Sequence, residues 1–171
     1  MDAFQFPFSS LTRGEKNNNK NKKSVYNAQS LQNSWYVIAG NHDHYGNVTG
    51  EVEYSKTVGT RWTFPSLYHS HSFTSKDAEQ SVTLDLIMLD TVDLASLSHV
   101  QSEHEPGYFA PLPEKARAEA QTQWDWLETQ LSASTAKYLI VAGHYPVYSV
   151  CEHGSSSTLI TNLKPLLEKV I

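Results

Sequence analysis

Trp35-Tyr36-Val37-Ile38-Ala39-Gly40-Asn41-His42-Asp43-His44 is an apolar run that stops at a glycine and then presents polar side chains with metal-capable atoms. A β-favouring run of this length ending at Gly suits a strand buried on both faces of a parallel sheet. Such sheets place their chemistry just beyond the carboxyl ends of the strands, and glycine lets the backbone turn sharply there. Further along, Lys137-Tyr138-Leu139-Ile140-Val141-Ala142-Gly143-His144-Tyr145-Pro146 repeats the device: apolar run, Ala-Gly, then a ligand-type residue. Two such strands side by side would bring Asn41, His42 and His144 together. The amide oxygen of Asn41 and an imidazole nitrogen of His144 would then share a cation, held in place by rigid strand ends.

The bulk properties set limits on this reading. A chain of 171 residues, 39% hydrophobic and 18% charged, is long enough for one domain with a real core and short for two. A formal charge of -5 argues against a general nucleic-acid binder. The single cysteine, Cys151, rules out an internal disulfide and a Cys-based zinc finger within one chain. No apolar stretch reaches the roughly 18 residues of a membrane span, and Met1 to Ser24 has no continuous apolar core of a secretory signal, which would leave the chain cytosolic if its start is genuine.

In chain order, residues 1–24 hold three phenylalanines and then an Asn/Lys tract with five Lys and Arg between Arg13 and Lys23, expected to be a disordered leader. A short helix end is expected over Val25–Leu31, the first strand over Trp35–Ala39, and a loop from Asn41 to about Val58. That loop contains Asn47-Val48-Thr49, an N-glycosylation acceptor. Ser66–Phe73 reads as an outer strand and Val82–Asp90 as a core strand, followed by a long polar loop from Val92 to Pro113. Glu114–Leu131 is the best helix, with Ala116, Ala120, Trp124, Leu127 and Leu131 three or four apart on one stripe. Ser155–Val170 offers a second amphipathic helix, which Pro165 is expected to kink.

Gly-Asn-His-Asp after one strand and Gly-His after another resemble the signature blocks of the metallophosphoesterases. The wider set AGNHDHYGNVTG, RWTFPSLY, IMLDTVDL, W-x-W-L-x-x-Q-L and VAGHYPVYSVCEHG resembles, in order and spacing, the tartrate-resistant, purple type of acid phosphatase of the calcineurin-like superfamily. The resemblance implies an α/β fold, a β-sandwich of two mixed sheets flanked by helices, here incomplete, over residues 25–171. It implies hydrolysis of phosphomonoesters, small molecules or phosphoproteins, at acid pH by a dinuclear metal centre of Fe3+ with Fe2+ or Zn2+, and a lysosomal or secreted location. By the same resemblance Asn41 and His144 are metal ligands, His42 and His153 assist phosphate binding and leaving-group departure, Asp43 orients its neighbours, and His44 is a candidate substrate contact.

The family's remaining ligands come from two Gly-Asp blocks and a late G-H-x-H block. This sequence has no Gly-Asp dipeptide, so the resemblance implies at most the divalent half-site and a chain that is the central portion of a phosphatase. Two rival readings follow: a catalytically inactive remnant, and a mononuclear metal-binding module built on His42, His44 and His144 or on the His69/His71 pair. A cysteine-phosphatase reading fails, because Ser157 stands where the phosphate loop after Cys151 would need arginine.

Overall fold

The structure is a computed structural model that describes residues 28–75, 81–95, 97–101, 109–111, 114–151 and 154–170. The chain divides into two compact units, Met1–Asn33 and Ser34–Ile171. In the first, the described residues form one 3-10 turn, Gln29–Leu31, where a short helix end is expected; the leader over residues 1–24 lies outside the described residues.

The second unit is α/β. Strand β1 (Trp35–Tyr36) runs parallel to β2 (Trp62–Thr63), in the register Trp35 to Trp62 and Tyr36 to Thr63. The sequence reads as a strand continuing to Ala39, yet the ladder ends early for a covalent reason. Val37 N–H still donates to Thr63 O at 3.1 Å, but the reciprocal bond to Val37 O would have to come from Pro65, which has no N–H. The Nε2–H of His69 takes that carbonyl instead, at 3.0 Å.

Strands β3 (His69–Thr74), β4 (Thr83–Leu89) and β7 (Tyr138–Gly143) form a mixed sheet in the order β3-β4-β7. β4 is antiparallel to β3 and parallel to β7, in register from Leu84 opposite Tyr138 to Leu89 opposite Gly143. Contrary to the expectation from sequence, the two Ala-Gly runs are therefore not neighbours in one sheet: β1 pairs with β2, and β7 with β4. β4 takes the central place because Ile87, Met88 and Leu89 are all buried, so both of its faces and both of its edges are covered.

Two stretches expected as loops are structured. Beyond Gly40 lie the helices α1 (Asn41–Tyr45) and α2 (Val48–Ser55). Both begin on caps that the sequence carries: Gly40 N–H donates to Asp43 Oδ2 at 2.7 Å, and Gly50 N–H donates to Asn47 Oδ1 at 2.9 Å. The Val92–Pro113 bridge is entered through α3 (Thr91–Leu94), capped by Asp90, and contains the antiparallel pair β5 (Leu97–Gln101) and β6 (Phe109–Pro111).

Helix α4 (Glu114–Ala133) matches its expected span and buries Ala120, Gln123, Leu127 and Leu131. After β7 the chain forms a π-helical turn, Leu159–Leu163, that runs into α5 (Lys164–Glu168). Lys164 N–H reaches back five residues to Leu159 O. The wider turn lies just ahead of Pro165, which has no N–H for the carbonyl four residues back, so the irregularity expected there is a π turn. Leu159 and Leu163 join Ile87, Leu89, Leu94, Leu127 and Leu131 in one buried cluster between the sheet and α4.

Leu127 is fully buried in that cluster. Leu127→Ala is expected to cost about 2–5 kcal/mol of stability by removing buried methyls and leaving a cavity, read as a lower midpoint in urea unfolding with an unchanged slope.

Candidate metal centre

The two sequence blocks meet although their strands do not pair. His144 Nε2 lies 3.0 Å from Asn41 Oδ1, across 103 residues of chain. Asn41 is the first residue of α1 and His144 follows β7 directly. The approach is close because Gly40 has no side chain: a Cβ there would lie 3.0 Å from the His144 ring. The amide oxygen can only accept, so Nε2–H donates to it. A cation between these atoms would stand in place of that proton, with an oxygen and a nitrogen lone pair both aimed at it. Burial lowers the His144 pKa, the charges of Asp43 and Asp90 opposing and those of His42 and His44 adding to the effect, and a neutral imidazole is the form a metal requires. The donors present thus fit a divalent ion of the zinc or iron class.

The other residues of this segment divide by exposure. His42 is exposed and meets Tyr45 edge-on, with ring centroids 5.3 Å apart. Asp43 faces inward to hold the Gly40 N–H. Glu51, on α2, is pushed up to about 7 by burial and by the charge and hydrogen bond of Asp43, with His44 opposing. Asn47 is exposed and caps α2. His153 lies outside the described residues.

His44, a candidate substrate contact by resemblance, instead turns into the protein. Its Nε2 lies 2.8 Å from Asp90 Oδ2, with side-chain exposures of 6% and 0%. Burial alone would lower the His44 pKa, but the Asp90 hydrogen bond and charge, joined by Asp93 and Asp43, raise it above its ordinary value. His44, Asp90 and Asp93 offer ligand atoms within 4.8 Å of one another. Asp90 is already committed, however: Oδ1 accepts from Val92 N–H at 3.1 Å and Asp93 N–H at 3.2 Å, while Oδ2 holds His44. His44 Nε2 and Asp90 Oδ2 are thus turned on each other, and the group stands as a capped side-chain pair.

Three residues to which the sequence reading gave no site role lie behind the Asn41 and His144 pair: Asp90, Thr91 and Gln123. Gln123, on α4, clamps the backbone of Asp90 from both sides: it accepts from Asp90 N–H at 2.9 Å and donates to Asp90 O at 3.3 Å. Thr91 Oγ1 accepts from Tyr145 N–H at 2.6 Å. Gln123 breaks the apolar stripe of α4 at a buried position, which was the one available signal; Asp90 and Thr91 gave none beyond ending a strand.

The His69/His71 pair does not offer the ligand set of a metal module. Val37 O can only accept, so His69 Nε2 carries the proton and Nδ1 must accept, from His71 Nε2–H at 2.9 Å. Burial lowers the pKa of both, with the His71 charge adding to the effect at His69 and the Val37 bond opposing it. Both nitrogens of His69 are thereby occupied, Nε2 in tying β3 to Val37 just beyond β1 and Nδ1 by His71 within β3.

The calcineurin-like phosphoesterase family model matches residues 12–169. The chain belongs to the calcineurin-like phosphoesterase family. It is 42% identical over 148 residues to tartrate-resistant acid phosphatase type 5 of Rattus norvegicus and 41% identical over 148 residues to that of Homo sapiens, covering 85% of this chain and 42% of each relative. Purple acid phosphatase 4 of Arabidopsis thaliana is 32% identical over 149 residues, covering 85% of this chain and 40% of the relative. The chain therefore spans about two-fifths of the length of the curated relatives it matches. Among solved structures, GAP50, the anchor in the inner membrane complex of Plasmodium, superimposes with a TM-score of 0.61 at 23% identity, covering 78% of this chain and 39% of that one, a likeness of fold. As a calcineurin-like phosphoesterase the chain is expected to carry a metal centre. Among the described residues no helix is long and apolar enough to cross a membrane.

The His44–Asp90 pair has a testable pH signature. His44 titrates higher folded than unfolded, so its stabilising contribution is complete below the unfolded value of about 6.5 and is lost as pH rises through the raised folded value. His44→Gln should therefore destabilise the protein more at pH 6 than at pH 9, measured by thermal melts of both proteins at each pH.

Proposed function

We propose that this chain supplies the divalent-metal half of an acid phosphatase centre that hydrolyses phosphomonoesters. The observation that carries the reading is the 3.0 Å approach of Asn41 Oδ1 and His144 Nε2 from two separate Gly-terminated strand exits, in a chain 42% identical to acid phosphatases. Asn41 and His144 would hold the ion, and the ion would supply Lewis-acid polarisation of a phosphoryl oxygen. His42 follows Asn41 directly and is exposed, so its imidazole can donate to the phosphate oxygens and pass a proton to the leaving alkoxide. His153 is proposed as the second proton donor. Asp43 fixes the turn through the Gly40 N–H and so orients both Asn41 and His42.

The exposed Asn47 is proposed as a glycosylation site of a secreted or lysosomal protein. A glycan on its Nδ2 leaves Oδ1 free to keep the cap on Gly50 N–H.

The test is hydrolysis of 4-nitrophenyl phosphate at pH 5 by the full chain with added Zn2+ or Fe2+. Asn41→Ala and His144→Ala should each lose more than the roughly 10- to 100-fold that removal of an outer-shell partner costs, with metal uptake falling in parallel. Turnover unchanged in Asn41→Ala would overturn the ligand assignment, and a parent chain that takes up metal without turnover would favour the inactive remnant.

A further inference from the structure

We propose that Asp90 and Thr91, at the carboxyl end of β4, are positioning residues that set the separation of Asn41 and His144. The inference rests on the reading of those two side chains as the metal pair, and it concerns residues that would touch neither metal nor substrate. Each half of the pair is fastened to one of two consecutive residues. Helix α1 begins with Asn41 and is held one turn later, where His44 Nε2 meets Asp90 Oδ2 at 2.8 Å. The exit of β7 is held where Tyr145 N–H donates to Thr91 Oγ1 at 2.6 Å, one residue beyond His144.

The fit on the β7 side is also steric. A Cβ at Gly143 would come within 2.3 Å of Thr91 Cγ2, so it is the missing side chain of Gly143 that lets the strand exit lie this close to Thr91. Asp90 itself cannot drift. Its Oδ1 caps α3 through Val92 and Asp93, and Gln123 clamps its backbone N–H and carbonyl. Asp90, Thr91 and Gln123 are exposed by 0%, 1% and 1%, and hydrogen bonds in such a dry setting are stiff and costly to leave unmade. β1 and β7 are not sheet neighbours, so backbone pairing between them does not set the distance. The Asp90-Thr91 dipeptide is the shared anchor, and a shift of about 1 Å at such a pair is enough to spoil coordination.

The experiment reads the pair with and without metal, on the full chain labelled with 15N. Without metal, the ring-nitrogen shifts of His144 report whether Nε2–H still donates to Asn41. Thr91→Val keeps the methyl and removes the acceptor for Tyr145 N–H; it should shift the His144 ring resonances, whereas Thr91→Ser, which keeps the hydroxyl, should leave them close to the parent. His44→Gln releases the α1 side and should move the same resonances, which keeps the test alive if Thr91→Val does not fold. A Mn2+ titration then follows paramagnetic broadening of the Asn41 side-chain amide and the His144 ring. Thr91→Val should need roughly 10- to 100-fold more Mn2+ for equal broadening. A purely structural role for Thr91 would lower the melting temperature and leave both the ring shifts and the titration at parental values in the folded variant, and that result overturns the proposal. Absence of joint broadening in the parent chain sinks the metal reading alone, because the metal-free shifts still decide whether Asp90 and Thr91 set the pair.

Discussion

The folded unit depends on one buried carboxylate. Asp90 ends the central strand, caps the helix that follows, and meets the imidazole of His44 from a segment 46 residues earlier. Removing a carboxylate from water is costly unless its lone pairs are matched. Here two backbone N–H groups and one raised-pKa histidine match them, and Gln123 satisfies the peptide on either side. The arrangement couples β4, α1, α3 and α4 at a single point.

A second constraint is an absent donor. Pro65 cannot complete the β1–β2 ladder, and the orphaned Val37 carbonyl is taken by His69 from β3. A side chain thus joins the two sheets where a backbone bond would have extended one of them. The same event fixes the tautomer of His69, orders His71 behind it, and sets Tyr36 against His71 with ring centroids 4.5 Å apart. What reads in the sequence as a histidine pair with chelating spacing is, in the fold, a hydrogen-bonded strut.

The histidines sort by environment rather than by motif. His44 sits among carboxylates and is held above its ordinary pKa, whereas His69, His71 and His144 are held below theirs chiefly by burial. Charge on the first stabilises the ion pair. Neutrality of the last suits coordination, in which an ion would take the place of the Nε2 proton that faces Asn41. Two side chains three positions apart in α1, Asn41 and His44, therefore serve opposite ends: one faces the candidate centre and the other anchors the helix that carries it.

The sequence by itself carried the family in its motif blocks, and in its periodicity and apolar runs the helix α4 and the core strand read over Val82–Asp90, because these are local properties of the chain; it also brought Asn41 and His144 together, though by a strand pairing the fold does not use. It misplaced the neighbours of β1 and β7, since apolar strands are interchangeable partners until Pro65 and the two-sided burial of β4 fix the order. It read 41–58 and 92–113 as loops, since polar composition hides short helices and a short strand pair whose stability lies in caps and tertiary contacts rather than in propensity. Only the tertiary structure decided that His44 meets Asp90, that His69 and His71 form a strut, and that Asp90, Thr91 and Gln123 join α1, α4 and the β7 exit to the end of β4. Apart from the local His69–His71 bond, those contacts are hydrogen bonds between residues distant in sequence, and a pattern along one chain carries no record of which distant donor will meet which acceptor.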